Sequence, residues 1–303
     1  MIKTSKINNF KIQLPKAKKV DNRPVKGAFM FPKELCTTYI LGKKESGKTV
    51  LIWNIIQHRI EKNTTVVIFC PTVYADHGWI NILEWLENND IPHMIHTSIY
   101  NNDGTNALKE LVSELEDEAK ARYDDMKESK KKKHKSDKFD VHKVLNPEEE
   151  TEKKERKPKY KAADYLILID DLSDEIGDSS LPTLIKKHRH FKTQLIISNQ
   201  TLNDLPLSAR KQLDYWIIFP GLDDIKLREV YDRCTLQIDF DQFQDLYYAA
   251  TSKPYNFLYF CSYLNDFRRN FDEMFKITTV HEQRLKNNIS KKNNPHSKYS
   301  IDE

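Results

Sequence analysis

At 303 residues and 35.8 kDa the chain is long enough to bury a substantial core without disulfides, and its four cysteines, Cys36, Cys70, Cys234 and Cys261, are too widely spaced to form a zinc or redox pair. They read as reduced core residues of an intracellular protein. Net charge is a modest +4, and apolar runs such as YLILI from Tyr165 fall far short of a membrane span, so neither membrane insertion nor a secretory signal is expected.

Residues 1–30 form a basic arm, with eight Lys or Arg against the single acid Asp21 before Phe31. That charge suits a polyanion, and equally a solvated terminus. An α/β domain is expected over 31–280, with strands at 37–41, 65–70, 165–169, 194–198 and 215–219. Each is a continuous run of Val, Ile, Leu and Phe, the pattern of a mostly parallel sheet covered by helices on both faces. The helix after Lys48 carries Val50, Leu51, Ile52, Trp53, Ile55, Ile56 and Ile60, which predicts burial around most of its circumference. From about 108 to 161 the chain turns highly charged. This segment is read as an insertion, a long exposed helix fraying into a disordered loop, and its lysines 130–133 as a solvated linker or a contact for DNA or capsid. Residues 281–303 are expected to form a flexible tail.

Only seven glycines occur in the chain, and Gly42 and Gly47 flank one stretch, GKKESGKT, that fits G-x-x-x-x-G-K-[ST] between a predicted strand and a predicted helix. Bare backbone lets such a loop point successive N–H groups at an anion, and the helix N-terminus adds partial positive charge. The nucleotide-binding stretch is therefore Gly42, Lys43, Lys44, Glu45, Ser46, Gly47, Lys48, Thr49 and Val50. Lys48 is expected on the terminal phosphates of ATP, and the Thr49 hydroxyl on Mg²⁺. The side chains of Lys43, Lys44 and Glu45 are expected to face solvent.

The run DYLILIDD delivers Asp170 and Asp171 to one sheet edge. Asp170 is the expected Mg²⁺ acid, and Asp171 the group that orients or deprotonates the attacking water, with Glu175 as its competitor. The run TQLIISNQ ends in Asn199 and Gln200, where an amide can bond a γ-phosphate oxygen or the lytic water. Arg189, in KKHRHFKTQ, is a candidate for stabilising transferred phosphoryl charge across a subunit boundary, with Arg210 second; a solvated basic cluster or a DNA-phosphate contact is the competing reading.

Together YILGKKESGKTVLIWNII, YLILIDDLSDE, HRHFKTQLIISNQ and PYNFLYFCSYLNDFRRNF resemble the poxvirus-type genome packaging ATPases of large DNA viruses, virophages and Polinton-like elements, in the FtsK-HerA superfamily. The resemblance covers roughly residues 31–275. It implies a RecA-like ATPase core with C-terminal antiparallel strands over 255–263 and 267–275. It further implies a homo-oligomeric ring that threads double-stranded DNA into a preformed capsid, a capsid or portal-vertex partner, and a site of action in the host cytoplasm or viral factory. By the same resemblance Lys48 and Thr49 are the phosphate and Mg²⁺ residues, Asp170 the metal acid, Asp171 the catalytic acid, Gln200 the sensor and Arg189 the trans-acting arginine. Much of the wider superfamily has Glu where this chain has Asp171, and the charged insertion has no counterpart. The competing classes are a DNA-translocating or segregation ATPase outside viruses, a P-loop kinase, and a capsid scaffold with a structural nucleotide. A regulatory GTPase is disfavoured because no Asn-Lys-x-Asp stretch is present.

Overall fold

The computed structural model describes residues 21–277 except 137–157, 173–174, 176–177, 203–204, 206, 235, 262 and 265, together with 5, 8, 9 and 11. Most of the basic arm, the distal part of the charged insertion and the tail 281–303 lie outside the described residues.

The elements run β1 (Thr37–Leu41), α1 (Lys48–Arg59), β2 (Thr65–Phe69), α2 (His77–Asn88), β3 (His93–His96), α3 (Ala107–Ser136), β4 (Tyr165–Asp170), α4 (Ser180–Lys187), β5 (Thr193–Asn199), α5 (Leu207–Arg210), β6 (Tyr215–Ile218), α6 (Asp224–Arg233), α7 (Phe240–Ala250), β7 (Leu258–Cys261), β8 (Asp266–Arg269) and β9 (Glu273–Met274). They build one nine-stranded sheet in the order β3-β2-β4-β5-β1-β6-β7-β8-β9. The first six in that order pair in parallel, and β7, β8 and β9 extend the sheet antiparallel.

The continuous apolar runs follow from burial on both faces, since alternate residues of each inner strand feed a different core. Ile40, Val66, Leu166, Leu168 and Ile196 pack with α1 and α2. Tyr39, Val67, Ile167, Ile169 and Ile197 pack with α3, α4, α6 and α7.

Four sequence expectations are corrected. Strand β3 is unanticipated, because a sheet-edge strand reading His-Met-Ile-His carries little apolar signal. The insertion starts later than residue 108, because Leu108, Leu111, Val112 and Leu115 of α3 are core residues. The arm ends earlier than residue 30, because buried Arg59 donates to the carbonyls of Lys26, Phe31, Lys33 and Glu34 and so seats this segment on the domain. The helix after the loop is packed along one side, through Leu51, Ile52, Ile55 and Ile56, and Val50 remains 66% exposed.

Candidate active site

Strand β1 ends at Leu41 and α1 begins at Lys48, so residues 42–47 form the connecting loop at the carboxyl edge of the parallel strands. Gly42 has no space for a side chain: a Cβ there would lie 2.5 Å from Ser46 Oγ and 2.9 Å from Phe219 Cβ. Gly47 adopts φ 101°, ψ 13°, a left-handed conformation that a side chain would strain. It stands at the N-cap of α1 without supplying a side-chain hydrogen bond, whereas Asp76, Asp223 and Asp239 cap α2, α6 and α7. The first N–H groups of α1 are therefore available to an anion, with the helix dipole behind them.

Lys48 turns back over the loop and donates to Gly42 O at 2.9 Å and Lys43 O at 3.0 Å. Partial burial pulls its ammonium below the usual lysine range, and the charges of Asp170 and Asp171 oppose that shift. The charges of Asp170, at the end of β4, and of Asp171, just after it, thus act on the loop lysine across one sheet edge.

Asp170 is 6% exposed. Trp79 Nε1 donates to its Oδ2 at 3.0 Å, and Cys70 Sγ lies 3.9 Å from the same oxygen. Its Oδ1 is buried without a partner of good geometry, near the Ser198 hydroxyl. Burial pushes the carboxyl above the usual range, and Ser198, Trp79 and Lys48 hold it lower.

Asp171 takes φ 56°, a left-handed turn that Asp tolerates better than most residues, and its N–H donates to Ser198 O at 2.9 Å. The turn brings its Oδ2 within 2.7 Å of Gln200 Nε2. Asn199, on the opposite face from Ser198, is buried with no hydrogen bond to either amide atom among the described residues.

The start of α2 completes the enclosure. A Cβ on Gly78 would lie 2.8 Å from Thr49 Cγ2 and 3.0 Å from Asp76 Oδ1, so the α2 N-terminus abuts the threonine of the loop. Sequence reasoning missed Trp79, Gly78 and Asp76. The scarcity of glycine that singled out Gly42 and Gly47 also applied to Gly78, in the first turn of an Asp-capped helix.

The donors suit Mg²⁺: the Thr49 hydroxyl and the buried Asp170 carboxylate, whose Oδ1 has no partner of good geometry, are hard oxygen ligands of the kind that ion takes alongside phosphate oxygens and water. Among the described residues no group of three or more His, Cys, Asp or Glu is placed to hold a metal ion.

Glu175 is engaged elsewhere. Its Oε2 accepts from Ser98 Oγ at 2.8 Å and Ile99 N at 2.6 Å, pinning the connection after β3. Arg189 lies between α4 and the start of β5, at the sheet edge opposite the loop, and pairs at 3.4 Å with Asp214, which also binds Lys33. Its side chain remains 60% exposed. Arg210 is buried and donates to Leu205 O at 2.5 Å, a poor starting point for reaching another subunit.

Strand β5 lies between the loop strand β1 and the acid strand β4, the strand arrangement of a RecA-like P-loop core, with Lys48, Asp170, Asp171 and Gln200 at their shared edge. Residues 127–227 match the family described as Poxvirus A32 protein, a stretch that holds both acids, Gln200 and Arg189 but not the phosphate loop. No curated protein matches the chain. Similar solved structures include the DNA-packaging ATPase B204 of Sulfolobus turreted icosahedral virus, at 15% identity and TM-score 0.48, covering 78% of this chain and 98% of that one. The genome packaging NTPase B204 of Sulfolobus turreted icosahedral virus 2 in complex with AMPPCP matches at 16% identity and TM-score 0.45, with the same coverages. The cytoplasmic domain of the type VII secretion ATPase EccC of Thermomonospora curvata matches at 15% identity and TM-score 0.40, covering 80% of this chain and 25% of that one. Among the described residues no helix is long and apolar enough to cross a membrane.

Proposed function

We propose that the chain is an ATP-hydrolysing motor that moves double-stranded DNA, working as a homo-oligomeric ring that packages a viral genome into a preformed capsid. The observation that carries this reading is the meeting of Lys48, Asp170 and the Asp171–Gln200 pair at one sheet edge. The poxvirus family match over the segment bearing the acids supports the viral role.

On nucleotide binding, Lys48 exchanges the carbonyls of Gly42 and Lys43 for phosphate oxygens, and the free N–H groups at the start of α1 close on the same anion. Thr49 and Asp170 hold the Mg²⁺, which neutralises phosphate charge when bound. Asp171 orients the attacking water and accepts its proton, and Gln200, bonded to Asp171, shifts with the occupancy of the γ-phosphate position. Arg189 is too far from its own subunit's loop to assist there, and acts on the neighbour's nucleotide. Its contact with buried Asp214 is long, at 3.4 Å, and Lys33 stays on that carboxylate when Arg189 leaves.

DNA is held through phosphates, since a pump must pass every sequence. A capsid or portal-vertex protein is the expected docking partner, and the host cytoplasm or viral factory the expected location. The test is steady-state hydrolysis of Mg²⁺-ATP with and without double-stranded DNA of unrelated sequences. Stimulation independent of sequence and weakened by salt supports the motor. An unchanged rate removes it, and phosphate transfer to a small-molecule acceptor would favour a kinase.

A further inference from the structure

A cavity of about 700 Å³ opens beside the phosphate loop, along one flank of α1, and Gly47 belongs to both. Helix α1 presents Gly47, Val50, Leu51 and Asn54 to it, positions i, i+3, i+4 and i+7 of one stripe. We propose that this cavity receives the base of the bound nucleoside triphosphate, that the base is a purine stacked on Tyr255, and that Phe29 covers it. The proposal rests on the phosphate-site reading and adds the recognition of the base.

Continuity with the loop limits what the occupant can be. Lys48 and Thr49 are assigned to the phosphates, and the cavity begins at Gly47 and Val50 on either side of them, so it is the adjoining space into which the remainder of the same ligand can extend. Its volume falls within the range of small-molecule sites, about 300–1,000 Å³. Most of its lining is apolar or aromatic: Phe219, Phe257 and Phe271 provide a packed floor.

Three large apolar or aromatic side chains of the lining lack cover. Tyr255 is 70% exposed, Val50 66% and Phe29 56%. Tyr255 is also held at φ 64°, a left-handed backbone that an aromatic residue adopts only where its surroundings impose it. The ring then lies against the loop: a Cβ on Gly47 would be 3.3 Å from Tyr255 Cδ1.

The rim is built as well. Arg268, paired with Asp266, donates to Phe29 O at 3.1 Å and Phe271 O at 3.2 Å, tying the N-terminal segment to the turn after β8. Asn270 accepts from Phe257 N at 3.2 Å and fixes the base of that turn. Polar groups are few. Asn54 spends its amide N–H on Val50 O at 2.8 Å, which leaves its oxygen for an exocyclic amine, and Asp272 stands in the lining. Such a site reads a large π-face and a shape, so it favours purines over pyrimidines and separates adenine from guanine by less than about tenfold.

The experiment is calorimetric titration of the full chain with the Mg²⁺ complexes of ATP, GTP, CTP and inorganic tripolyphosphate, in the native sequence and in Tyr255→Ala, Tyr255→Phe and Lys48→Ala. Expected is ATP and GTP binding well above tripolyphosphate, with CTP weaker. Tyr255→Ala should weaken ATP about tenfold or more while leaving tripolyphosphate within about twofold, and Tyr255→Phe should hold ATP within about threefold. Equal affinity for ATP and tripolyphosphate in the native chain overturns the proposal. So does an unchanged ATP affinity in Tyr255→Ala, or a parallel loss of both ligands. Unaltered binding of all four ligands to Lys48→Ala would instead remove the phosphate site beneath it.

Discussion

Gln200 donates its side-chain amide to Asp171 Oδ2 at 2.7 Å, joining the ends of two adjacent strands. An amide in this position can hold the carboxylate in its water-orienting geometry and alter that geometry when phosphate arrives. Asp171→Asn should bind ATP normally and hydrolyse it about 10²–10⁴-fold more slowly, and Gln200→Ala should lower kcat with little change in KM. Single-turnover hydrolysis together with equilibrium nucleotide binding checks both. Native turnover in Asp171→Asn would exclude the residue as the base.

Lys48→Ala removes the ammonium that spans Gly42 and Lys43. Neither bond belongs to a strand or helix, and the Lys43 end is exposed, so the fold should survive with an unfolding midpoint close to native. Hydrolysis should fall to background. Circular dichroism melting and a phosphate-release assay on one preparation separate loss of the fold from loss of the site.

Asp170 carries a pH signature. Burial raises its carboxyl, so the folded chain holds a proton that the unfolded chain has already released. Its contribution to stability is full below the usual carboxylate range and is lost as pH rises through the raised value. Asp170→Asn should therefore gain stability over the native chain as pH rises across that interval, and the difference should close in acid. Urea unfolding from about pH 3 to 8 measures it. The same variant should lose Mg²⁺-dependent hydrolysis, because an amide is a poor ligand for a hard cation.

Glu175 anchors Ser98 and Ile99, away from the Asp171–Gln200 pair. Glu175→Ala should cost about 1–3 kcal/mol through the partners it strands, with kcat within about twofold of native. A loss of turnover beyond about 100-fold at unchanged nucleotide affinity would return it to the catalytic site.

Arg189 on the far sheet edge predicts complementation. Arg189→Ala and Lys48→Ala should each be inactive alone, and a mixture should recover part of the hydrolysis at interfaces pairing an intact loop with an intact arginine. Rates across a mixing series test this; a flat series argues against action in trans.

The turn from β1 into α1 was legible in the chain because its pattern is contiguous: Gly42, Gly47, Lys48 and Thr49 set backbone shape and helix start within eight residues. Strands β1, β2, β4, β5 and β6 were legible because burial on both faces leaves unbroken apolar runs. Strand β3 and the first turns of α3 were not. An edge strand needs little apolar content, and a helix that is charged overall can still bury one short stripe.

Sequence alone determined where the G-x-x-x-x-G-K-T turn, the two acids at a strand end and the amide at another stand in the chain, because each is a local pattern. Tertiary structure decided which of them meet. The order β4-β5-β1 places Gln200 on Asp171 across 29 residues and Trp79 on Asp170 across 91, sends Glu175 to the β3 loop, and leaves Arg189 on the far edge. That order comes from packing helices on both faces of the sheet, a property of the whole chain that no single stretch encodes.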